Sequence, residues 1–181
     1  MGLVDRLLPS VVPRDVEVAV GLPGDDLVPH ADVVMDRAFS VDARPAAVWP
    51  WLEQLGKRRA GWYLPRRLER ALPSSRRALR RLDPSYGGLQ VGDVIPDYGG
   101  RDETFTVAMT AAPSYLVYTS RRRGTDVSWA IVLTPEDVRT RVHLRLRLGP
   151  VKHVRLAEVA GGLFDALTIA GMAAGLRERV C

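Results

Sequence analysis

The sequence predicts an α+β fold in which a curved antiparallel β-sheet wraps around a long C-terminal α-helix. Three observations predict it. From Thr140 to Leu148 apolar and charged residues alternate without a break, one dry face and one wet. From Val91 to Leu148 segment after segment keeps the two-residue period with only short turns between, which suits hairpin-connected strands. The last stretch, about Arg155 to Arg179, drops that period and is apolar nearly all round, as a helix buried on more than one face would be.

At 181 residues the chain suits one domain, and 46% hydrophobic with 26% charged residues is ordinary globular composition. Residues 1–32 read as an N-terminal arm. Pro9, Pro13, Pro23 and Pro29, with Gly21 and Gly24, forbid a long helix there, and the alternation of Val16, Val18 and Val20 allows a short strand. Residues 33–181 form the domain proper. Val34 to Val41 is its first strand, with Met35, Phe39 and Val41 on one face and Arg37 interrupting it. A helix follows, with Pro45 in its first turn and Val48, Leu52 and Leu55 as its buried stripe; Pro50 removes one backbone bond and Gly56 ends it.

Pro65–Leu72 and Arg76–Leu82 read as two short helices with Leu68, Leu72, Leu79 and Leu82 turned inward. Strands are then expected at Val91–Pro96, Glu103–Ala112, Tyr115–Arg121, Thr125–Thr134 and Arg139–Leu148. The second puts Phe105, Val107, Met109 and Ala111 on one face, and the fourth does the same for Val127, Trp129, Ile131 and Leu133. In the terminal helix, spacing at 100° per residue gathers Leu156, Val159, Ala160, Leu163, Leu167, Ala170 and Ala174 into a stripe flanked by Phe164 and Gly171. Ile169, Met172 and Leu176 fall opposite. As a membrane span the segment is penalised by Glu158 and Asp165, each costing about 2.5–3.5 kcal/mol near a bilayer centre.

The net charge is +5, and all but two of the 26 basic residues are arginine, bunched between Arg58 and Arg81 and at Arg121–Arg123. Nucleic acid or an anionic membrane is one partner such a surface could take. Interleaved acids (Glu53, Glu69, Asp83) and the lack of an aromatic stacking platform favour a plain solvated surface instead. The single cysteine, Cys181, excludes an intramolecular disulfide and fits a reducing, cytoplasmic interior. The N-terminus carries no signal-peptide run, Arg6 stands where a myristoylation site wants Ser or Thr, and Cys181 is misplaced for prenylation, so no covalent membrane anchor is expected.

Several residues mark this order of elements. They are Leu22-Pro-Gly-Asp-Asp-Leu-Val-Pro29, Val48-Trp-Pro-Trp-Leu52 with Gly56, Ala60-Gly-Trp-Tyr63, Leu68-Glu69, Leu89-Gln-Val-Gly-Asp93 with Ile95-Pro96, Ser128-Trp129, Leu133-Thr-Pro135, and Thr140-Arg141 with Arg145 and Arg147. In this arrangement the chain resembles the helix-grip superfamily known as SRPBCC or START-like, which includes polyketide cyclase/dehydratase-like proteins. The resemblance implies a sheet that grips the C-terminal helix around a pocket for a small, mostly apolar molecule; a minority of the superfamily are enzymes, and no cofactor is expected here. Where members with this aromatic motif often carry an Asp soon after Gly-Trp-Tyr, this chain has Leu64-Pro-Arg-Arg67.

Within that frame the expected ligand-binding residues are Trp62, Tyr63, Tyr98, Phe105, Trp129, Leu144, Leu163, Phe164 and Leu167. Tyr and Trp offer a broad apolar face with one polar handle. Trp62-Tyr63, punctuated by Gly61 and Pro65, has the setting of a pocket-mouth loop. Asp165 either meets solvent or an arginine, or lies beside the pocket, where its pKa would rise and it could act as a general acid or base; Tyr63 is the other catalytic candidate. Arg145 and His143 belong to the polar face of their strand and are expected in solvent; with the register reversed, Arg145 would anchor a ligand anion. No His or Cys pair has metal-ligand spacing, and no nucleophile elbow, phosphate loop or dinucleotide fingerprint occurs. The leading expectation is a carrier or sensor of a small hydrophobic molecule. The alternatives are a metal-free cyclase/dehydratase-type enzyme using the same pocket, and a basic-surface binder.

Overall fold

The computed structural model describes residues 9–180, so the expectations about the first eight residues and Cys181 lie outside the described residues. Six antiparallel strands form one sheet in the order β1-β6-β5-β4-β3-β2, with β1 Val33–Val41, β2 Val94–Pro96, β3 Thr104–Ala111, β4 Tyr115–Arg122, β5 Thr125–Glu136 and β6 Arg139–Gly149. The first strand pairs with the last, Val33 opposite Leu148 and Val41 opposite Thr140, so the pattern read in β6 is continued by β1. Helix α1 is Asp15–Ala19, α2 Pro45–Gln54 and α3 Arg66–Arg70. The terminal helix α4, Val154–Val180, runs as a short α segment, a π-helical turn over Ala157–Gly161 and a long α segment from Gly162. This is the α+β helix-grip fold.

The grip is uneven along α4. Its C-terminal half is packed solid: Ile169, Met172, Ala173 and Leu176 are buried against Phe39, Val41, Val142 and Leu144 of the sheet and Val48 and Leu52 of α2. Backbone lies against backbone there, since a methyl group on Gly175 would stand 2.6 Å from the Leu64 nitrogen. Ile169, Met172 and Leu176, expected opposite the main stripe, are thus the buried face. Leu156, Val159, Leu163 and Leu167 point outward, Leu163 being 38% and Leu167 53% exposed. Both faces are equally apolar, so composition could not set the phase. By length and a mean hydropathy of 1.6 the helix could cross a membrane, yet one side of it is the core of this sheet.

The outer face of the sheet is only partly wet: Val34 and Val94 are exposed on it, but much of the rest is covered. The arm begins beside the terminal helix, where a helical turn at Pro9–Val11 packs on that helix and β1 with Val11 in the core, and then crosses the outer face through α1 and a turn at Asp25–Leu27. Instead of a strand at Val16–Val20, α1 forms because Glu17 accepts a hydrogen bond from the Arg14 backbone N–H (2.7 Å), which closes its first turn. Arg145, expected in solvent, is only 4% exposed. It donates to Asp36 (2.8 Å) and Asp25 (2.8 Å) and to the carbonyls of Glu17, Val18 and Val20. His143, also expected in solvent, is buried with Nε2 2.7 Å from Asp36 Oδ1. Arg141 pairs with Glu17 (2.7 Å), and Arg147 donates to the Val28 carbonyl. The charged face of β6 is the seat of the arm. Gly24, at φ +88°, brings the arm so near β4 that a Cβ there would touch Val117.

Two further expectations fail locally. A bulge between Val107 and Met109 shifts the β3 register, pairing Val107 with the inward Tyr118 but Met109 with the outward Val117. Residues 76–82 form no helix beyond a turn at Ser74–Arg76. Leu68 and Leu82, expected inward, are exposed, and Ala78 is the buried anchor of that stretch.

Candidate functional site

Beneath the N-terminal half of α4, where the helix meets the sheet at β1, lies a cavity of about 500 Å³. The sheet supplies its floor through Met35, Leu146 and Leu148, and α4 its roof through Ala157, Gly161 and Ile169. The π turn places small residues at this roof, and Gly161 sits within van der Waals reach of Met35.

One wall is a cluster of aromatic rings. Trp62 and Trp129 stack with centroids 6.3 Å apart, Trp62 meets Tyr98 edge-on at 6.0 Å, and Trp129 lies 5.9 Å from Phe105 and 5.8 Å from Tyr118. Trp62 is aimed by its indole N–H, which donates to the Thr168 carbonyl of α4 at 3.2 Å. Its loop needs Gly61: φ is +86°, and a Cβ would come within 3.0 Å of Ala78. Behind the rings a second void of about 30 Å³, lined by Leu52, Leu55, Ile95 and Ile131, is room for a water molecule or two. Burial pushes the Tyr98 phenol up from its ordinary pKa.

Two carboxylates interrupt this apolar lining. Asp165, from the first turn after the π segment, lies 3.0 Å from Arg37 Nε, although the N–H bond does not point at the oxygen, so the contact is a charge pair rather than a directed hydrogen bond. Arg37 is held by the Gly162 carbonyl (2.9 Å), which explains why an arginine interrupts the apolar face of β1. Loss of water raises the Asp165 pKa to about 6; Arg37 opposes the rise and nearby Asp36 adds to it. Asp97 pairs with Arg122, whose guanidinium lies over the Phe105 ring at 4.8 Å. Lys57 staples the Asp97 loop by donating to the carbonyls of Asp97 (2.9 Å) and Gly100 (2.6 Å).

Of the residues singled out in the sequence, Trp62, Tyr98, Phe105, Trp129, Phe164 and Asp165 come together at this cavity. Four do not. Tyr63 is fully buried elsewhere, donating to the Trp51 carbonyl at 2.7 Å and accepting from Gln54, beneath Arg179. That role is structural, and its pKa is driven up by burial, so it is no acid–base partner for the cavity. Leu163 and Leu167 face away, and Leu144 is packed in the solid half of the core. Sequence reasoning missed Asp97, Arg122, Arg37 and Thr168. Arg37 alone left a signal, as a charge on an otherwise apolar strand face.

Within the Arg58–Arg81 run several side chains serve the structure. Arg59 donates to the Glu53 carbonyl (3.0 Å), Arg77 to that of Leu72 (3.0 Å), and Arg80 bridges Glu69 and Glu178, each at 2.7 Å. Among the described residues no group of three or more His, Cys, Asp or Glu is placed to hold a metal ion.

No family profile and no curated protein matches the chain. Solved structures do. A protein from Arthrobacter aurescens is 17% identical, matching over 94% of this chain and 92% of its own with a TM-score of 0.52. MLL2253 from Mesorhizobium loti is 17% identical over 81% of this chain and 98% of its own, TM-score 0.50. CalU16 from Micromonospora echinospora is 19% identical over 81% and 80%, TM-score 0.46. At such identities the likeness is one of fold.

Proposed function

We propose that this chain binds a small, largely apolar, ring-bearing molecule in the cavity under α4, as a carrier or sensor. The observation that carries the reading is the cavity itself: about 500 Å³, bounded by sheet and helix and walled by Trp62, Tyr98, Phe105 and Trp129. That volume lies within the ~300–1,000 Å³ usual for small-molecule sites, and the mix of apolar wall with a few polar groups is the usual composition. A ligand ring would pack against this wall in offset or edge-to-face contacts, as aromatic pairs prefer.

Two of the four tryptophans line the cavity, so the protein carries its own reporter. Titration with a panel of apolar aromatic compounds is expected to quench tryptophan emission saturably, and Trp129→Ala to weaken binding about tenfold. Absence of saturable quenching across the panel would remove the reading.

A second reading is favoured by Asp165, a carboxyl held near pKa 6 at the cavity wall. A group poised there suits general acid–base chemistry near neutral pH, as a cyclase/dehydratase-type enzyme needs. Turnover of a reactive polyketone that disappears in Asp165→Asn while binding persists would select the enzyme over the carrier.

A further inference from the structure

Side chains alone separate the large cavity from the small void behind the rings: Trp62, Asp97, Tyr98, Phe105 and Trp129 border both. Tyr118 borders only the void. Its ring packs against Phe105 at 5.7 Å and Trp129 at 5.8 Å, and 1% of the residue is exposed. A phenol hydroxyl at such depth is ordinarily hydrogen-bonded. Tyr63, the other fully buried tyrosine, follows that rule through Trp51 and Gln54. The Tyr118 hydroxyl does not, for it meets no donor or acceptor among the described residues. Nor is its oxygen sealed by its neighbours, so the space it meets is the void. Burial drives the phenol far above its ordinary pKa, so it stays protonated, with one O–H to donate. A buried hydroxyl without a partner costs stability that phenylalanine, filling nearly the same volume, would not.

We infer that the void is the deep end of the ligand site and Tyr118 its polar anchor. The occupant is a ring-bearing molecule whose ring lies against the aromatic wall and whose terminal hydroxyl or carbonyl oxygen accepts the Tyr118 hydrogen bond. The inference rests on the ligand-binding reading and narrows it. At about 30 Å³ the void is too small for a ring and large enough for one oxygen-bearing substituent. The substituent enters between side chains of the shared wall, where Tyr98 is the freest to turn, being 53% exposed and held by its edge-on contact with Trp62. Once inside, the oxygen meets a donor in a water-poor, apolar setting, where leaving that donor unmade is costly and making the bond is rewarded.

The test is calorimetric titration at pH 7.5 with 2-ethylnaphthalene, 2-naphthylmethanol and 2-naphthaldehyde, which share a ring system and differ in the terminal atoms. The two oxygenated probes are expected to bind about tenfold more tightly than the hydrocarbon. Tyr118→Phe keeps the ring and removes only the oxygen. It is expected to bring both oxygenated probes down to the affinity of 2-ethylnaphthalene, to leave that hydrocarbon's affinity unchanged, and to keep or raise the urea unfolding midpoint. A hydroxyl present for packing alone would show no such split. Tyr98→Phe, which strips the hydroxyl from the half-exposed ring of the wall, is expected to preserve the oxygen advantage. No advantage in the wild type, an advantage that survives Tyr118→Phe, or one that is lost in Tyr98→Phe instead overturns the inference and leaves the cavity reading intact. Failure of all three probes to bind overturns both.

Discussion

Asp165 sits where an ionised carboxyl is hard to keep. Its ordinary pKa near 3.9 rises to about 6 in the fold because lost hydration outweighs the help of Arg37. A raised carboxyl pKa means the folded protein holds the proton more tightly than the unfolded chain. The associated stability is therefore complete below about pH 4 and disappears as pH climbs through about 6, a change of at most about 3 kcal/mol. Urea unfolding across pH 4–7 checks this. The stability of the wild type minus that of Asp165→Asn is expected to fall over the window, and a flat difference would show that Asp165 titrates normally. From sequence, both a solvent-facing and a pocket-side Asp165 were open. Only the third dimension adds Arg37, on a strand 128 positions earlier in the numbering, as the partner that makes pocket-side placement tolerable.

Helix α4 shows what the amino-acid pattern encodes and what it hides. Its existence, length and place at the sheet are legible from composition, and the strands β5 and β6 are legible from their alternation. Its rotational phase is not, because Leu163 and Leu167 are as apolar as Ile169 and Met172. The phase is marked instead by small residues at close approaches, above all Gly175 against the Leu64 backbone. Gly175→Ala, a helix-favouring change elsewhere, is accordingly expected to destabilise by about 1–3 kcal/mol, since its neighbours at Tyr63 and Leu64 are main chain and cannot rotate aside. Leu167→Gln, on the outward face, is expected to change stability by less than about 0.5 kcal/mol. Thermal and urea melts of the two variants decide between this phase and the opposite one. The aromatic wall was partly legible because Trp and Tyr stand out by type. Asp97 and Arg122 were not, since nothing local separates them from other surface charges.

Across the whole molecule the sheet divides two kinds of interior. On one side the terminal helix leaves room; on the other the arm closes over a buried polar layer centred on Arg145, Asp36 and His143. The alternating β6 sequence looked half-wet because its cover comes from residues more than 100 positions away. Arg145→Met would take the guanidinium away from Asp36, Asp25 and three arm carbonyls. A loss of about 3–5 kcal/mol is expected by urea unfolding. Limited proteolysis should then cut between Asp15 and Leu27 at protease doses the wild type survives; unchanged resistance would mean the arm is held by other contacts.

The π-helical turn at Ala157–Gly161 has a consequence for how this architecture can vary. A π turn accommodates one extra residue in an otherwise α-helical rod while the helix beyond it keeps its bearing. Chains one residue shorter at that spot could revert to ordinary winding without disturbing the clamped half around Met172 and Leu176. The roof above Met35 would be rebuilt, while the anchorage of the rod stayed as it is. Chain length at a single turn is thus a means of reshaping the roof that leaves the clamped half of the rod alone.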